Sequence, residues 1–183
     1  MQELASLIAS GLAALAAGRQ AFDTWFEAAW PLGAFHALAL TSFGEAPYSR
    51  RVLAEGPAGE AMLATWRAGG KSAIHDHGGA DGAVIILAGD FIETHFQLRG
   101  GSLRSGKSLS YRPGMVARVT AHSIHDMHAP QGGVTLHLYA PEPQPVRLFD
   151  PALRRTVTVG SGAGAWLPAR SEHVLAVEPW ETN

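Results

Sequence analysis

The chain contains no cysteine. That absence excludes disulfides, zinc–thiolate sites, iron–sulfur clusters and a cysteine nucleophile together. Charge is scarce: Asp, Glu, Lys and Arg make up 16% of the 183 residues, and 14 basic against 16 acidic side chains give a net charge of −2. No basic excess exists to draw in a nucleic acid or an anionic membrane surface. Lysine is nearly missing, with only Lys71 and Lys107 in a composition rich in Arg, Ala and Gly. We read that as codon bias. The apolar opening MQELASLIASGLAALAAG is too short to span a bilayer. Its only charge before Arg19 is Glu3, so it lacks the basic region of a signal peptide. The expectation is a soluble, cytoplasmic protein. What the chain does have is 46% hydrophobic residues, which excludes disorder, and 9 histidines, most of them in short stretches. Its length is that of one domain with a sizeable core.

The texture changes near residue 46. Before it, Leu4, Leu7, Ile8, Leu12 and Leu15 recur at helical spacing, and Gly18 stands where that helix would stop. A second helix is expected over Asp23–Ala29, with Asp23 as N-cap and Pro31 ending it. A third is expected over His36–Phe43. From Tyr48 onward, short apolar runs are broken by Gly and Pro every eight to twelve residues, the pattern of a sandwich or barrel. Candidate strands are Ala61–Trp66, Ala83–Leu87, Phe91–Leu98, Met115–Val119, Gly133–Tyr139, Arg147–Phe149 and Thr156–Val159. Gly89–Asp90 and Gly100–Gly101 read as hairpin turns. The expected organisation is a helical N-terminal layer, residues 1–45, on a mainly β barrel, residues 46–183, as one structural domain.

Three stretches concentrate the chemistry. In the first, His75 and His77 stand at i and i+2, so on a strand they face the same way and can share one metal ion. Imidazole suits Zn, Cu, Fe and Ni. An isolated H-x-H is more often an exposed strand end. Here Gly69, His75, His77 and Gly89 fit the first cupin motif, G-x5-H-x-H-x3,4-E-x6-G, with Gly82 where the Glu belongs. A site without that carboxylate needs a third histidine from elsewhere. The second stretch, His122-Ser-Ile-His125-Asp-Met-His128, offers three, of which a strand face would carry one. His125 is the first choice, His128 the competitor and His122 weaker. The third stretch, Thr135-Leu-His137-Leu-Tyr139, alternates strictly, so Thr135, His137 and Tyr139 share one face and Leu136 and Leu138 the other. Such a face lies against water or lines a polar interior; beside an H-x-H, the polar interior is preferred.

Together these pieces resemble the thiol dioxygenase branch of the cupins, and within it the cysteine dioxygenases. Pro47-Tyr48-Ser49-Arg50 is similar to the segment bearing the substrate-binding arginine. Trp66 with Ile74-His75-Asp76-His77 is similar to the W…IHDH segment. Leu87-Ala88-Gly89-Asp90 with Glu93-Thr94 is similar to the L-x-G-x-x-x-E-T hairpin. Ser123-Ile124-His125 is similar to the segment of the third iron ligand, and Thr135–Tyr139 followed by Pro141 to the SLHLY-x-P strand. Phe149-Asp150 follows at the family's spacing. The resemblance covers about residues 45–160, and the joint order is more specific than any one motif. It implies a cupin, or jelly-roll, barrel. It implies that His75, His77 and His125 bind Fe(II), that Arg50 receives the substrate carboxylate, and that Tyr48 and Trp66 line the site. It gives Tyr139, His137 and Thr135 the catalytic relay. Two departures stand out. Animal members carry a Cys joined to the active-site Tyr, and here that position is Gly82. The loop between His125 and Thr135 is also shorter, which keeps His128 in play.

The implied reaction takes L-cysteine and O2 to cysteine sulfinic acid. Another small mercapto acid, 3-mercaptopropionate or mercaptosuccinate, is the close alternative. Members acting on 3-mercaptopropionate carry Gln at the position of Arg50, so Arg50 leans toward cysteine. A guanidinium fork also matches a carboxylate on physical grounds. From a different class, the chain could be a cupin that binds a metal or small molecule without turnover. A monomer is slightly preferred, with no nucleic-acid or membrane partner.

Overall fold

The computed structural model describes residues 2–32, 35, 46–100, 102–143, 145–160 and 162–180. The apolar spacing of the N-terminus forms helix α1, Gln2–Ala16, which buries Ile8, Leu12 and Leu15. Gly18, at φ 106°, turns the chain at once into α2, Arg19–Ala29. The second helix therefore starts four residues before the expected N-cap, and Gly18 occupies that place. Asp23 lies inside α2, where its carboxylate pairs with Arg118 and, at 3.7 Å, with Arg19. No loop remains for it to cap. A 3-10 turn, Trp30–Leu32, follows and contains Pro31. The expected helix over 36–43 lies outside the described residues.

All seven expected strands form, within one or two residues at each end. The first sheet has the order β1-β2-β10-β5-β8, from Tyr48–Gly56, Gly59–Trp66, Gly133–Ala140, Asp81–Ala88 and Val116–Val119. The second runs β13-β12-β11-β4-β9-β6-β7, from Val174–Pro179, Arg155–Val159, Val146–Asp150, Ile74–His75, Ile124–Ala129, Phe91–Arg99 and Ser102–Tyr111, with β3, Gly70–Lys71, paired to β9. β1, β3, β4, β7, β9 and β13 were not among the expected strands. β7 and β13 are edge strands with mostly exposed side chains, so they carry little apolar alternation. The fold is the expected mainly β jelly roll with N-terminal helices, built as two facing sheets that do not close into a continuous barrel.

Alternation divides the core in two. On the outer face of the first sheet, Ala61, Leu63, Ala83, Ile85, Leu136 and Leu138 pack against Ile8, Leu12, Leu15 and Phe22. On its inner face, Tyr48, Ala64, Trp66, Val84 and Ile86 meet Phe91, Met127 and Ala129 of the second sheet. All eight residues of β2 are buried, because the helices cover one side and the second sheet the other. Burying an aliphatic or aromatic side chain fully contributes about 1.5–3 kcal/mol, so the helical layer is what lets β10 be apolar on its outer face at Leu136 and Leu138 while its inner face carries Thr135, His137 and Tyr139. Gly89, at φ 80°, makes the β5–β6 hairpin turn; a Cβ there would stand 2.2 Å from the Gly132 carbonyl oxygen.

Candidate active site

The pairing of β4 with β9 sets His75 directly beside His125. His77, two residues on, faces the same way. The three ring centroids are 5.0, 4.8 and 4.7 Å apart, and one ligand nitrogen from each lies within 4.8 Å of the others. His128 does not join them. It stands three residues from His125 on one strand and so takes the opposite face, while Met127 and Ala129 continue the inner face of His125. His122 lines a separate outer depression with His95 and Thr120.

The rings are held by their far nitrogens. His75 Nδ1 bonds the Ala73 carbonyl oxygen at 2.9 Å. His125 Nδ1 bonds Glu93 Oε1 at 2.5 Å, and the other oxygen of Glu93 accepts from the Tyr111 hydroxyl at 2.8 Å. Both contacts are satisfied when Nδ1 carries the proton, which leaves Nε2 unprotonated and free to ligate. Both ring nitrogens of buried His77 lack a hydrogen-bond partner among the described residues. A buried imidazole left bare on both sides is costly, and an ion shared by the three rings would engage one of its two nitrogens. The residues present therefore fit a metal ion.

The segment carrying His75 and His77 is tied down on both sides. Asp76 points away from them and accepts from the Arg147 backbone at 2.8 Å and from Arg147 Nε at 2.6 Å, fixing the segment to β11. Ser72 Oγ accepts from Met127 N at 2.9 Å, fixing it to β9.

Beside the cluster, Thr135, His137 and Tyr139 face inward, as their alternation predicts. Trp66 Nε1 donates to Thr135 Oγ1 at 2.8 Å, Thr135 Oγ1 lies 2.8 Å from His137 Nε2, and His137 Nδ1 lies 2.9 Å from the Tyr139 hydroxyl. With Thr135 donating to Nε2, Nδ1–H donates to the Tyr139 oxygen and the Tyr139 proton is free for the cavity. The opposite assignment leaves the buried Thr135 proton without an acceptor. Gly82 lies beneath this ring; a Cβ there would meet Tyr139 Cδ1 at 2.6 Å.

A cavity of about 220 Å3 opens onto these groups, lined also by Arg50, Tyr48, Glu60, Met62 and Trp66. Tyr48 stacks on Trp66 with centroids 4.3 Å apart, and its hydroxyl accepts from Ala165 N at 2.8 Å. All nine residues singled out by sequence thus meet in one place, eight on the cavity wall and Thr135 behind it. Three further groups carry weight there. Glu60 and Met62 stand at even spacing from Trp66 on one strand, which already places them on its face. Glu93 sits in a recognised hairpin motif, yet its bond to His125 is across strands and has no local signature.

Burial first, then the charge of His125, pushes His75 down to about 3, against the Ala73 and Glu93 contacts that raise it. Burial also pushes His137 down to about 3, aided by His75, His125 and Arg50. His77 falls well below its ordinary value, through burial and then its histidine neighbours. Burial drives Tyr48 up to about 12, and drives Tyr139 upward too, with Tyr48 and Glu60 adding to it. Burial alone would raise Glu93, but the His125 hydrogen bond and charge, with that of Tyr111, outweigh it and hold the carboxylate ionised. His75, His77 and His137 are held as neutral imidazoles, and both phenols keep their protons.

The metal-free protein should accordingly lose stability in acid. The unfolded chain takes up protons at His75 and His137 below about pH 6.5, while the folded chain resists until about 3. Stability is therefore full above pH 6.5 and declines as pH falls through that window. Thermal melts of metal-free protein should show Tm dropping by roughly 5–10 °C from pH 7 to pH 5. A flat Tm over that range would mean these rings are not buried and neutral.

The sequence model of the family described as cysteine dioxygenase type I matches residues 34–152. No curated protein matches the chain. Among solved structures, a conserved protein with a double-stranded β-helix domain from Klebsiella pneumoniae is 13% identical, with TM-score 0.52 over 61% of this chain and 86% of that one. A cupin superfamily protein from Desulfitobacterium hafniense is 19% identical, with TM-score 0.45 over 56% of this chain and 83% of that one. The first of these speaks for the fold alone. No described helix is long and apolar enough to cross a membrane.

Proposed function

The chain belongs to the cysteine dioxygenase type I family of the cupin superfamily, and from that premise we propose that it oxidises L-cysteine to cysteine sulfinic acid with O2 at a ferrous ion held by His75, His77 and His125. The observation that carries this reading is the convergence of three imidazoles with Arg50 and the Tyr139 relay on one cavity. The reaction balances without an external reductant: RSH and O2 give RSO2H, sulfur loses four electrons, and the four-electron reduction of dioxygen leaves both oxygen atoms on sulfur. When bound, iron would supply the redox chemistry that joins dioxygen to the thiol.

The chain's own groups would bind and orient. Arg50 offers its guanidinium to the substrate carboxylate. Tyr139, held by His137, Thr135 and Trp66, donates its proton as a hydrogen bond to the substrate or to oxygen arriving beside it. Its raised pKa keeps it a donor. The Tyr48–Trp66 stack walls the cavity with apolar surface and thins the water that would compete for those bonds.

Oxygen uptake by iron-loaded protein, measured with L-cysteine, 3-mercaptopropionate, mercaptosuccinate and cysteamine, tests the reading. Uptake should be fastest with cysteine. Faster uptake with another thiol would reassign the substrate, and uptake with none would leave a binding protein.

A further inference from the structure

Arg50 does not face the cavity as a free cation. Its Nη2 donates to both oxygens of Glu60, at 2.7 and 2.6 Å, and its Nε donates to Met62 Sδ at 2.8 Å. The two side chains are only 13% and 11% exposed, so the pair is shielded from solvent. Among the described residues, Arg50 is the one Lys or Arg lining the cavity, against Glu55, Glu60, Asp76 and Glu142. Asp76 is engaged by Arg147. Glu55 and Glu142 are exposed. The guanidinium is thus already neutralised before any substrate arrives, and among the described residues no second Lys or Arg lines the cavity to receive a further carboxylate.

A carboxylate entering beside Arg50 must share that guanidinium with Glu60. A zwitterionic amino thiol can do so, because its own amine offsets the added negative charge. A thiol with a second carboxylate brings more negative charge than cysteine to the same metal site and the same neutralised guanidinium, so the extra carboxylate meets Glu60 as a like charge in a shielded site, which is costly. β2 pairs with β10 so that Glu60 stands across from Tyr139, which keeps the carboxylate beside the reacting groups.

Resting on the thiol dioxygenase reading above, we propose that Glu60 is a specificity-determining residue: by cancelling the charge of Arg50 within the cavity, it admits thiols that carry one carboxylate beside an amine and turns away thiols with a second carboxylate. The carboxylate acts through its charge and not through its shape.

Two variants separate charge from shape. Glu60→Gln keeps the length and an acceptor for Arg50 but removes the charge. Glu60→Asp keeps the charge and loses one methylene. Binding of L-cysteine, 3-mercaptopropionate and mercaptosuccinate to iron-loaded protein without oxygen, followed by calorimetry, is read beside oxygen uptake. Wild type and Glu60→Asp should both prefer cysteine to mercaptosuccinate. Glu60→Gln should shift that preference toward mercaptosuccinate by about tenfold or more, and toward 3-mercaptopropionate by less. If Glu60→Gln behaves as wild type while Glu60→Asp disturbs binding, Glu60 only props Arg50 and the proposal is overturned. Wild type that binds mercaptosuccinate as tightly as cysteine overturns it as well. Binding preferences that shift as expected, with no oxygen uptake from any thiol, uphold Glu60 and sink the dioxygenase reading. Failure of every thiol to bind sinks both.

Discussion

Replacing Arg50 by alanine should lower kcat/KM for cysteine by roughly 30-fold to several thousand-fold, the cost of truncating one partner of a buried charge pair at about 2–5 kcal/mol. The variant strands two anions. One is the substrate carboxylate. The other is Glu60, whose two oxygens both rest on Arg50 Nη2. The folded protein should therefore also lose stability, since breaking a shielded ion pair on one side costs about 3–5 kcal/mol. The double variant Arg50→Ala/Glu60→Ala resolves the two effects. It removes both charges, so its Tm should recover most of the loss, while its kcat/KM for cysteine stays low. Cysteamine has the thiol and amine but no carboxylate, and the double variant should leave its turnover nearly unchanged. A double variant that recovers cysteine turnover along with Tm would mean Arg50 serves the fold alone.

The largest loss of all should come from the histidine cluster. His77→Ala, and equally His125→Ala, should leave protein that retains no iron after dialysis against a weak chelator and takes up no oxygen with any thiol. His128→Ala should retain iron as wild type does, because His128 lies on the opposite face of β9 from Met127 and Ala129. Glu93→Gln is the graded case. It weakens the hold on His125 without removing a ligand, and losing such a partner typically costs about 10–100-fold in metal affinity. Iron content by elemental analysis, with the fold checked by circular dichroism, reads all four. Iron lost from His128→Ala and kept in His125→Ala would reverse the assignment.

Much of this site is written in short-range sequence. The H-x-H at His75 and His77 and the alternation of Thr135, His137 and Tyr139 are period-two signals: β10 turns the second into a shared face, while for the first β4 ends at His75 and His77 lies just beyond it. The third histidine is a different kind of fact. Nothing within His122–His128 says which ring faces inward until β9 is registered against β4, with His75 opposite His125. That strand escapes the sequence because Asp126 and the two histidines interrupt its apolar pattern. The same limit hides the partner of Arg50. Glu60 shares a strand face with Trp66, ten residues along the chain from Arg50, yet the β1–β2 pairing that joins them rests on a strand with no clean alternation of its own. The start of α2 misleads for a local reason: Asp23 is a good capping residue in principle, but the left-handed Gly18 leaves no turn for it to cap.

A dioxygenase at this cavity would place both atoms of one dioxygen molecule on a thiol sulfur. The most direct measurement is mass spectrometry of the product formed by iron-loaded protein from L-cysteine under isotopically labelled dioxygen. The product should be cysteine sulfinic acid carrying two labelled oxygen atoms, formed one for one with the dioxygen consumed. Cystine as the product, or a sulfinate with one label or none, would contradict it.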